Sequence, residues 1–124
     1  FTPKNVLVLP EGFWVIDTEV AHIGNPVLDT ASMLAHLLLK RIHYREHHAA
    51  GLLLQNFQRE FLNALSDSQG SVPPTLGYHI GTIMGVRVEG RAPVAYLSDS
   101  AKAVARDVAI ALLEGQEVEE AWSQ

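Results

Sequence analysis

The sequence predicts a mainly α-helical fold with a β-hairpin near its N-terminal end. Two short runs of β-branched and aromatic residues, Val6–Leu9 and residues 13–16, are separated by Pro-Glu-Gly at residues 10–12, which favours a turn. Phe13 and Trp14 alternate across the second strand, so one of them is expected in the core and the other is expected to be covered by a missing or neighbouring element. The rest of the chain carries apolar residues at helical spacing. We therefore expect a short β head and a long helical body within one unit of 124 residues.

The helical body is expected to start with two amphipathic helices. The first begins at Asp29, and the second covers about residues 45–65. Residues 66–74 are polar and rich in proline, which predicts a loop. The residues expected to face inward are Ala31, Leu34, Ala35, Leu38 and Ile42 on the first helix, and Leu53, Phe57, Phe61, Leu62 and Leu65 on the second.

Three further helices are expected. The third covers residues 75–88 and has a glycine at every fourth position of one face, which permits close approach of another helix. These glycines are Gly77, Gly81 and Gly85. Ser98 or Ser100 can cap a fourth helix, which Gly115 stops. Residues 117–122 could add a short terminal helix.

The composition argues against several classes of function. The net charge is −5 and the basic residues are scattered singly, whereas proteins that bind nucleic acid normally carry a basic stripe. No apolar run approaches the roughly 20 residues of a membrane span, and no signal-like segment is visible. The absence of cysteine excludes disulfides and cysteine nucleophiles and is compatible with a reducing compartment. We therefore expect a soluble, cytoplasmic protein that binds neither nucleic acid nor membranes.

Oxygen-bearing side chains are concentrated at the two ends of the predicted hairpin. Asn5 precedes the first strand and Asp17 follows the second. Because antiparallel strands bring their outer ends together, both side chains can lie at the same end of the hairpin. An amide oxygen beside a carboxylate is a hard-oxygen site of the kind that Mg²⁺ uses when it also binds nucleotide phosphates. Glu19 follows two residues later and could add a third oxygen.

These residues resemble the motifs of a known family, the aminoglycoside phosphotransferase and choline kinase-like small-molecule kinases. In that family a His-Gly-Asp loop, four variable residues and an Asn lead into a hairpin that ends in Ile-Asp-x-Glu, followed by Gly-x-Pro-x-x-Asp. Here residues 1–5 are Phe-Thr-Pro-Lys-Asn, residues 15–19 are Val-Ile-Asp-Thr-Glu and residues 24–29 are Gly-Asn-Pro-Val-Leu-Asp. The matches fall in register. The resemblance is strong over residues 5–35 and moderate over residues 77–97.

The resemblance implies ATP and Mg²⁺ as cofactors and a hydroxyl group of a small molecule as the phosphate acceptor. Asn5 and Asp17 would be the catalytic residues, binding Mg²⁺ and through it the phosphates of ATP. Glu19 would be a further metal ligand. Asp29 would open a helix and accept hydrogen bonds from backbone amides of the catalytic loop, which is a structural role. No role follows for Arg87 or for the surrounding segment.

By the same register, the catalytic Asp would immediately precede Phe1, and the nucleotide-binding lobe would lie farther upstream. The chain would then be the distal half of the C-lobe of a protein-kinase-like α+β fold, inactive without the N-terminal lobe of its parent. Residues 1–28 would comprise the end of the catalytic loop, the metal-binding hairpin and the following loop. Residues 29–124 would form the helical body. The substrate is left open, although acidic residues near the C-terminal end could attract a cationic one.

Two alternative interpretations remain open. The head could merely mimic the motif, and the chain would then be a noncatalytic helical binding module. Alternatively, His43 and His47 stand four apart on a predicted helix, with His36 and His48 nearby, a spacing that can chelate a metal. We expect these histidines to lie on a solvent-exposed helix face rather than to bind a metal, because no HExxH pattern is present. His22 is expected to have a packing role.

Overall fold

The computed structural model describes residues 1–19 and 21–121 and shows a hairpin followed by a helical body. A short 3₁₀ turn (Pro3–Asn5) leads into strand β1 (Val6–Leu9), which pairs antiparallel with β2 (Gly12–Val15). The helices are α1 (Val27–His43), α2 (His48–Gln69), α3 (Leu76–Glu89), α4 (Asp99–Leu113) and α5 (Val118–Ala121). The predicted mainly helical fold with an N-terminal hairpin is confirmed. Within the described residues, none of the helices combines the length and apolarity needed to cross a membrane.

The core lies where α1, α3 and α4 pack together. Leu34 and Leu38 of α1, Ile80 and Met84 of α3 and Leu112 of α4 are almost completely removed from solvent. Complete burial of one such side chain contributes about 1.5–3 kcal/mol, so this cluster is the main source of stability. All the residues predicted to face inward from the first helix are buried. Helix α1 is buried on other faces as well, because α2, α3 and α4 all pack against it.

Helix α2 packs on the core less fully than the sequence predicts. Its buried residues are Gln58, Leu62 and Leu65, which lie between the middle of the helix and its last turn. Leu53 and Phe57 are exposed, so the expected inward orientation of these two is wrong. Their positions are rotated around the helix by about 100° or more from Gln58, away from the stripe that contacts α1.

The end of α2 also differs from the prediction. The helix continues to Gln69, so residues 66–69 of the predicted loop are helical. It ends at Gly70, which has a φ of 79° and whose N–H donates to the carbonyl oxygen of Ser66 at 2.7 Å. Polar residues at solvent-facing positions can prolong a helix, and the left-handed glycine rather than the change in composition ends this one.

Helices α3 and α4 approach each other closely at Gly81. A Cβ atom at this position would lie 2.7 Å from the carbonyl oxygen of Ala109 and 3.1 Å from the Cβ atom of Leu112. At Gly77 the added atom would make ordinary contacts, and at Gly85 it would meet nothing within 4 Å. Close packing of the predicted glycine face therefore requires a glycine at Gly81 and not at Gly77 or Gly85.

The ends of the last helices follow the sequence closely. The Ser98 hydroxyl accepts a hydrogen bond from Ala101 N at 3.2 Å, so Ser98 rather than Ser100 caps α4. Gly115, with a φ of 98°, follows the end of α4 as predicted. Helix α5 covers part of the predicted terminal helix, whose final residue, Trp122, lies outside the described residues.

The hairpin carries apolar side chains on both faces and leaves most of them in solvent. Phe13 and Trp14 point to opposite faces and are 70% and 66% exposed. The expectation that one of them lies in the core is therefore wrong. Val6, at the start of β1, is the hairpin residue that packs partly against the core.

Candidate functional site

The hairpin brings Asn5 and Asp17 together at its open end. The pairing of β1 with β2 is extended by a hydrogen bond from Ile16 N to Asn5 O at 2.9 Å. The side-chain nitrogen of Asn5 also donates a hydrogen bond to Oδ2 of Asp17, the residue after Ile16, at 3.2 Å. The juxtaposition expected from strand geometry is thus present in the structure.

Asp17 has an unusual backbone conformation. Its φ is 65°, and within the described residues it is the only residue other than glycine with a positive φ. Asp is among the residues that tolerate the left-handed region, although the region is sparsely populated. Such conformations cluster at functional sites, because the surrounding structure must hold them in place. The backbone conformation of Asp17 therefore makes it a candidate functional residue.

Asn5 and Asp17 carry amide and carboxylate oxygens, the ligand types that Mg²⁺ binds in proteins. The hydrogen bond uses Asn5 Nδ2 and one carboxylate oxygen, and the structure gives Asn5 Oδ1 and Asp17 Oδ1 no hydrogen bond to a described residue. Mg²⁺ bound with nucleotide usually needs only one or two protein carboxylates, the rest of its shell being phosphate and water. Among the described residues, no three His, Cys, Asp or Glu side chains group as a metal site.

Asp29 holds the main chain at the start of the described structure. Its Oδ1 accepts a hydrogen bond from the Phe1 nitrogen at 3.2 Å, at the start of the segment that leads into Asn5. Asp29 does not open the helix itself, since α1 begins at Val27 and the oxygen of the Asn25 side chain accepts from Val27 N at 3.1 Å. The sequence signal for a helix start at Val27 was the pair Asn25-Pro26. Asn is favoured just before a helix, and Pro is favoured at the first positions of a helix.

An open cleft of about 640 Å³ joins these residues. Its volume lies within the range of ligand pockets, roughly 300–1,000 Å³. Asn5, Asp17, Asn25 and Asp29 contribute polar groups to it. Glu19 is exposed and does not line it, so the structure does not bring this third predicted ligand into the cleft. The remaining lining residues are Phe1, Val15, Ile16, Thr18, Ala21, His22, Ile23, Gly24, Pro26 and Leu28.

The histidines considered as an alternative metal site lie among aromatic rings. His43 ends α1 and His47 precedes α2, so the two are not on one helix as predicted. The His43 ring makes edge contacts with Tyr44 and Tyr96, at centroid distances of 4.6 and 5.2 Å. His47 makes a similar contact with Tyr44, at 5.9 Å. Ring packing accounts for the positions of both side chains.

Comparison with known proteins identified no relative of this chain. No protein-family model, curated protein or solved structure matches the chain. Support for a function therefore comes from the residues of the chain and their geometry.

Proposed function

We propose that this chain is the C-terminal part of an ATP-dependent phosphotransferase that uses Mg²⁺ to phosphorylate a hydroxyl group of a small molecule. The observation that carries the proposal is the contact of Asn5 with Asp17 at the open end of the hairpin, at 3.2 Å. An amide and a carboxylate at this spacing offer hard oxygen ligands on one side of an open cleft. The same two residues stand at the Asn and Asp positions of the kinase motifs that the sequence resembles.

Each side chain has a defined task in the proposed enzyme. The Asn5 amide oxygen and the Asp17 carboxylate would hold Mg²⁺, which supplies positive charge beside the transferring phosphoryl group. Asp29 supports the site indirectly, because it contacts the Phe1 nitrogen at the start of the segment that leads into Asn5. Glu19 is assigned a weaker role at the edge of the site, since it lies outside the cleft lining.

The exposed hairpin supports a larger parent protein. Val8 and Phe13 are paired across the strands and expose apolar surface on one face of the hairpin, and Trp14 exposes more on the other face. Exposed apolar patches usually mark interaction sites. In the proposed kinase, the N-terminal lobe and the nucleotide would cover this hairpin. Residues 29–124 would then be the distal part of a kinase-like C-lobe. A cytoplasmic location, where ATP is abundant and thiols are reduced, belongs to the same proposal.

The proposal is tested on the full-length gene product. Purified protein is incubated with ATP, Mg²⁺ and a panel of small hydroxyl compounds, and ADP release is measured. We expect ADP formation that requires both Mg²⁺ and one class of acceptor, and a gene that encodes His-Gly-Asp with the Asp directly before Phe1. A product that neither binds nor hydrolyses ATP, without that upstream motif, would favour a noncatalytic helical binding module.

A further inference from the structure

A second cavity lies at the end of α1 that is farther from the hairpin site. It is open to solvent, has a volume of about 290 Å³ and is lined by residues from the end of α1, the start of α2, α4 and α5. The volume is close to the lower end of the range for ligand pockets, roughly 300 Å³. Along α1, the rise from Leu28, which lines the cleft of Asn5 and Asp17, to Ile42, which lines this cavity, is about 21 Å. The cavity is therefore a separate site.

One wall of the cavity is apolar. Leu38 and Ile42 of α1 and Val108 of α4 line it, and all three are buried. Val104, one turn before Val108, also lines it and is partly buried. Removing apolar surface from water is favourable, so a wall of this kind favours a ligand with a hydrocarbon body.

The polar side chains that line the cavity are basic or neutral. They are Arg41 and Arg45 at the end of α1 and just after it, and His48 and Gln55 of α2. Arg45 is held towards α4, because its Nη2 donates a hydrogen bond to Ser100 Oγ at 3.2 Å. A neutral hydroxyl does not cancel the charge of a guanidinium group, and the other N–H groups of that planar group can still donate to a ligand.

None of the described residues that line this cavity is acidic. Glu46, next to Arg45, lines a neighbouring pocket instead, and Glu119 and Glu120 of α5 are not part of the lining. The first turn of α2 also contributes to the lining, and the N-terminal end of a helix carries partial positive charge. The cavity thus combines fixed positive charge with an apolar wall.

We infer that this cavity binds a small carboxylic acid with an apolar body, whose carboxylate lies at Arg41 and Arg45 and whose hydrocarbon part lies against the apolar wall. A guanidinium group can bind both oxygens of a carboxylate through two parallel hydrogen bonds. His48 and Gln55 can add further hydrogen bonds to the same group. The inference does not depend on the proposed phosphotransferase function, because it uses none of the residues of the hairpin site.

Direct binding tests this site without an activity assay. Octanoate, 1-octanol and inorganic phosphate are titrated separately into the full-length gene product by isothermal titration calorimetry. We expect octanoate to bind, and 1-octanol and phosphate, which each lack one half of the ligand, to bind at least about 10-fold more weakly. From butanoate to octanoate, each added methylene should raise the affinity about fourfold until the cavity is full. No binding of octanoate at about 10 mM, or equally tight binding of 1-octanol or phosphate, would overturn the inference.

The basic side of the cavity is tested with Arg45→Gln. Arg45 is exposed, so circular dichroism should remain unchanged, while octanoate binding should weaken by at least about 10-fold, the loss expected for a charge-assisted contact. Arg91→Gln is the matched control, because Arg91 is exposed and does not line the cavity. Equal effects of the two substitutions would place octanoate on another surface and overturn the inference.

A second pair of variants tests the cavity itself. Gly51 lines it, and a Cβ atom added at Gly51 would meet nothing within 4 Å, so the larger side chain of Gly51→Leu has room to occupy the space that the ligand needs. Gly85→Leu is the control, because Gly85 also has open space at its Cβ position and does not line the cavity. Gly51→Leu should weaken octanoate binding, and Gly85→Leu should leave it unchanged. Octanoate binding that withstands both substitutions equally would overturn the inference.

Discussion

At the scale of single residues, Asn5, Asp17 and Glu19 differ in how directly each faces the cleft. Asn5→Ala removes one oxygen ligand and leaves the Asp17 carboxylate, so we expect a moderate loss of kcat that added Mg²⁺ partly restores. Glu19→Gln should cost less, because Glu19 is exposed and outside the cleft lining. Steady-state kinetics of the full-length gene product across a Mg²⁺ titration measures both. A loss in Glu19→Gln as large as that in Asn5→Ala would instead make Glu19 a direct metal ligand.

His36 should make stability depend on pH. Its pKa is lowered in the folded chain by burial and by Arg87, Lys4 and Lys40, so the unfolded chain takes up a proton first, near its ordinary pKa of about 6.5. This contribution to stability is therefore complete above about pH 6.5 and is lost as the pH falls from there towards the folded-state pKa. The free energy of unfolding from urea titrations across this range measures the slope.

The variant His36→Gln should flatten this acid loss of stability. The control His48→Gln, at an exposed position, should leave it unchanged. The same pH slope in His36→Gln as in the unsubstituted chain would show that this histidine does not cause it.

The sequence predicts the residues of the hairpin site better than the packing of the helices. Asn5 and Asp17 can be placed together from local geometry, because strand pairing dictates which residues meet at the open end. The packing of α3 on α1, in contrast, is not encoded by spacing along the chain. Asn25 was missed because Asp29 offered a stronger-looking helix start.

At the scale of the elements, the two glycines of α3 offer a matched pair of substitutions. Gly81→Ala should destabilise the fold by about 1–3 kcal/mol, because the new methyl group would press on the Ala109 carbonyl of α4. Gly85→Ala should be neutral or stabilising by up to about 1 kcal/mol, since its Cβ meets open space and alanine favours a helix. Urea unfolding of the three proteins, at the same chain length, tests this. Equal effects of the two substitutions would mean that Gly81 does not set the approach of α3 to α4.

The buried faces of the helices and strands show where a sequence pattern is sufficient to predict burial. Helix α1 is predicted correctly in its inward face, because its apolar residues are dense and it is surrounded by other helices. Helix α2 has apolar residues on more than one face, and the sequence does not say which face α1 will cover. The exposure of Phe13 and Trp14 was not predicted either, since a strand pattern indicates burial without indicating by what.

At the scale of the whole molecule, the proposal gives the described chain the metal ligands and a helical body but not the other parts of the enzyme. Under the proposal, the catalytic Asp and the nucleotide-binding lobe belong to upstream sequence. The isolated 124-residue chain should therefore not transfer phosphate. ADP release with ATP, Mg²⁺ and an acceptor that the full-length product uses measures this. Acceptor-dependent turnover by the isolated chain would contradict the division of roles between the two parts.

The most direct measurement is the kcat of the full-length gene product carrying Asp17→Asn. This substitution keeps the shape of the side chain and removes its charge, which is needed most as charge develops in the transition state. We predict a loss of kcat on the order of 10³-fold, with unchanged circular dichroism and a smaller change in the KM of the acceptor. The matched control, Asp67→Asn at an exposed position of α2, should retain full activity. A folded Asp17→Asn enzyme with near-unchanged kcat at every Mg²⁺ concentration would contradict the assignment of Asn5 and Asp17 as the magnesium and nucleotide site.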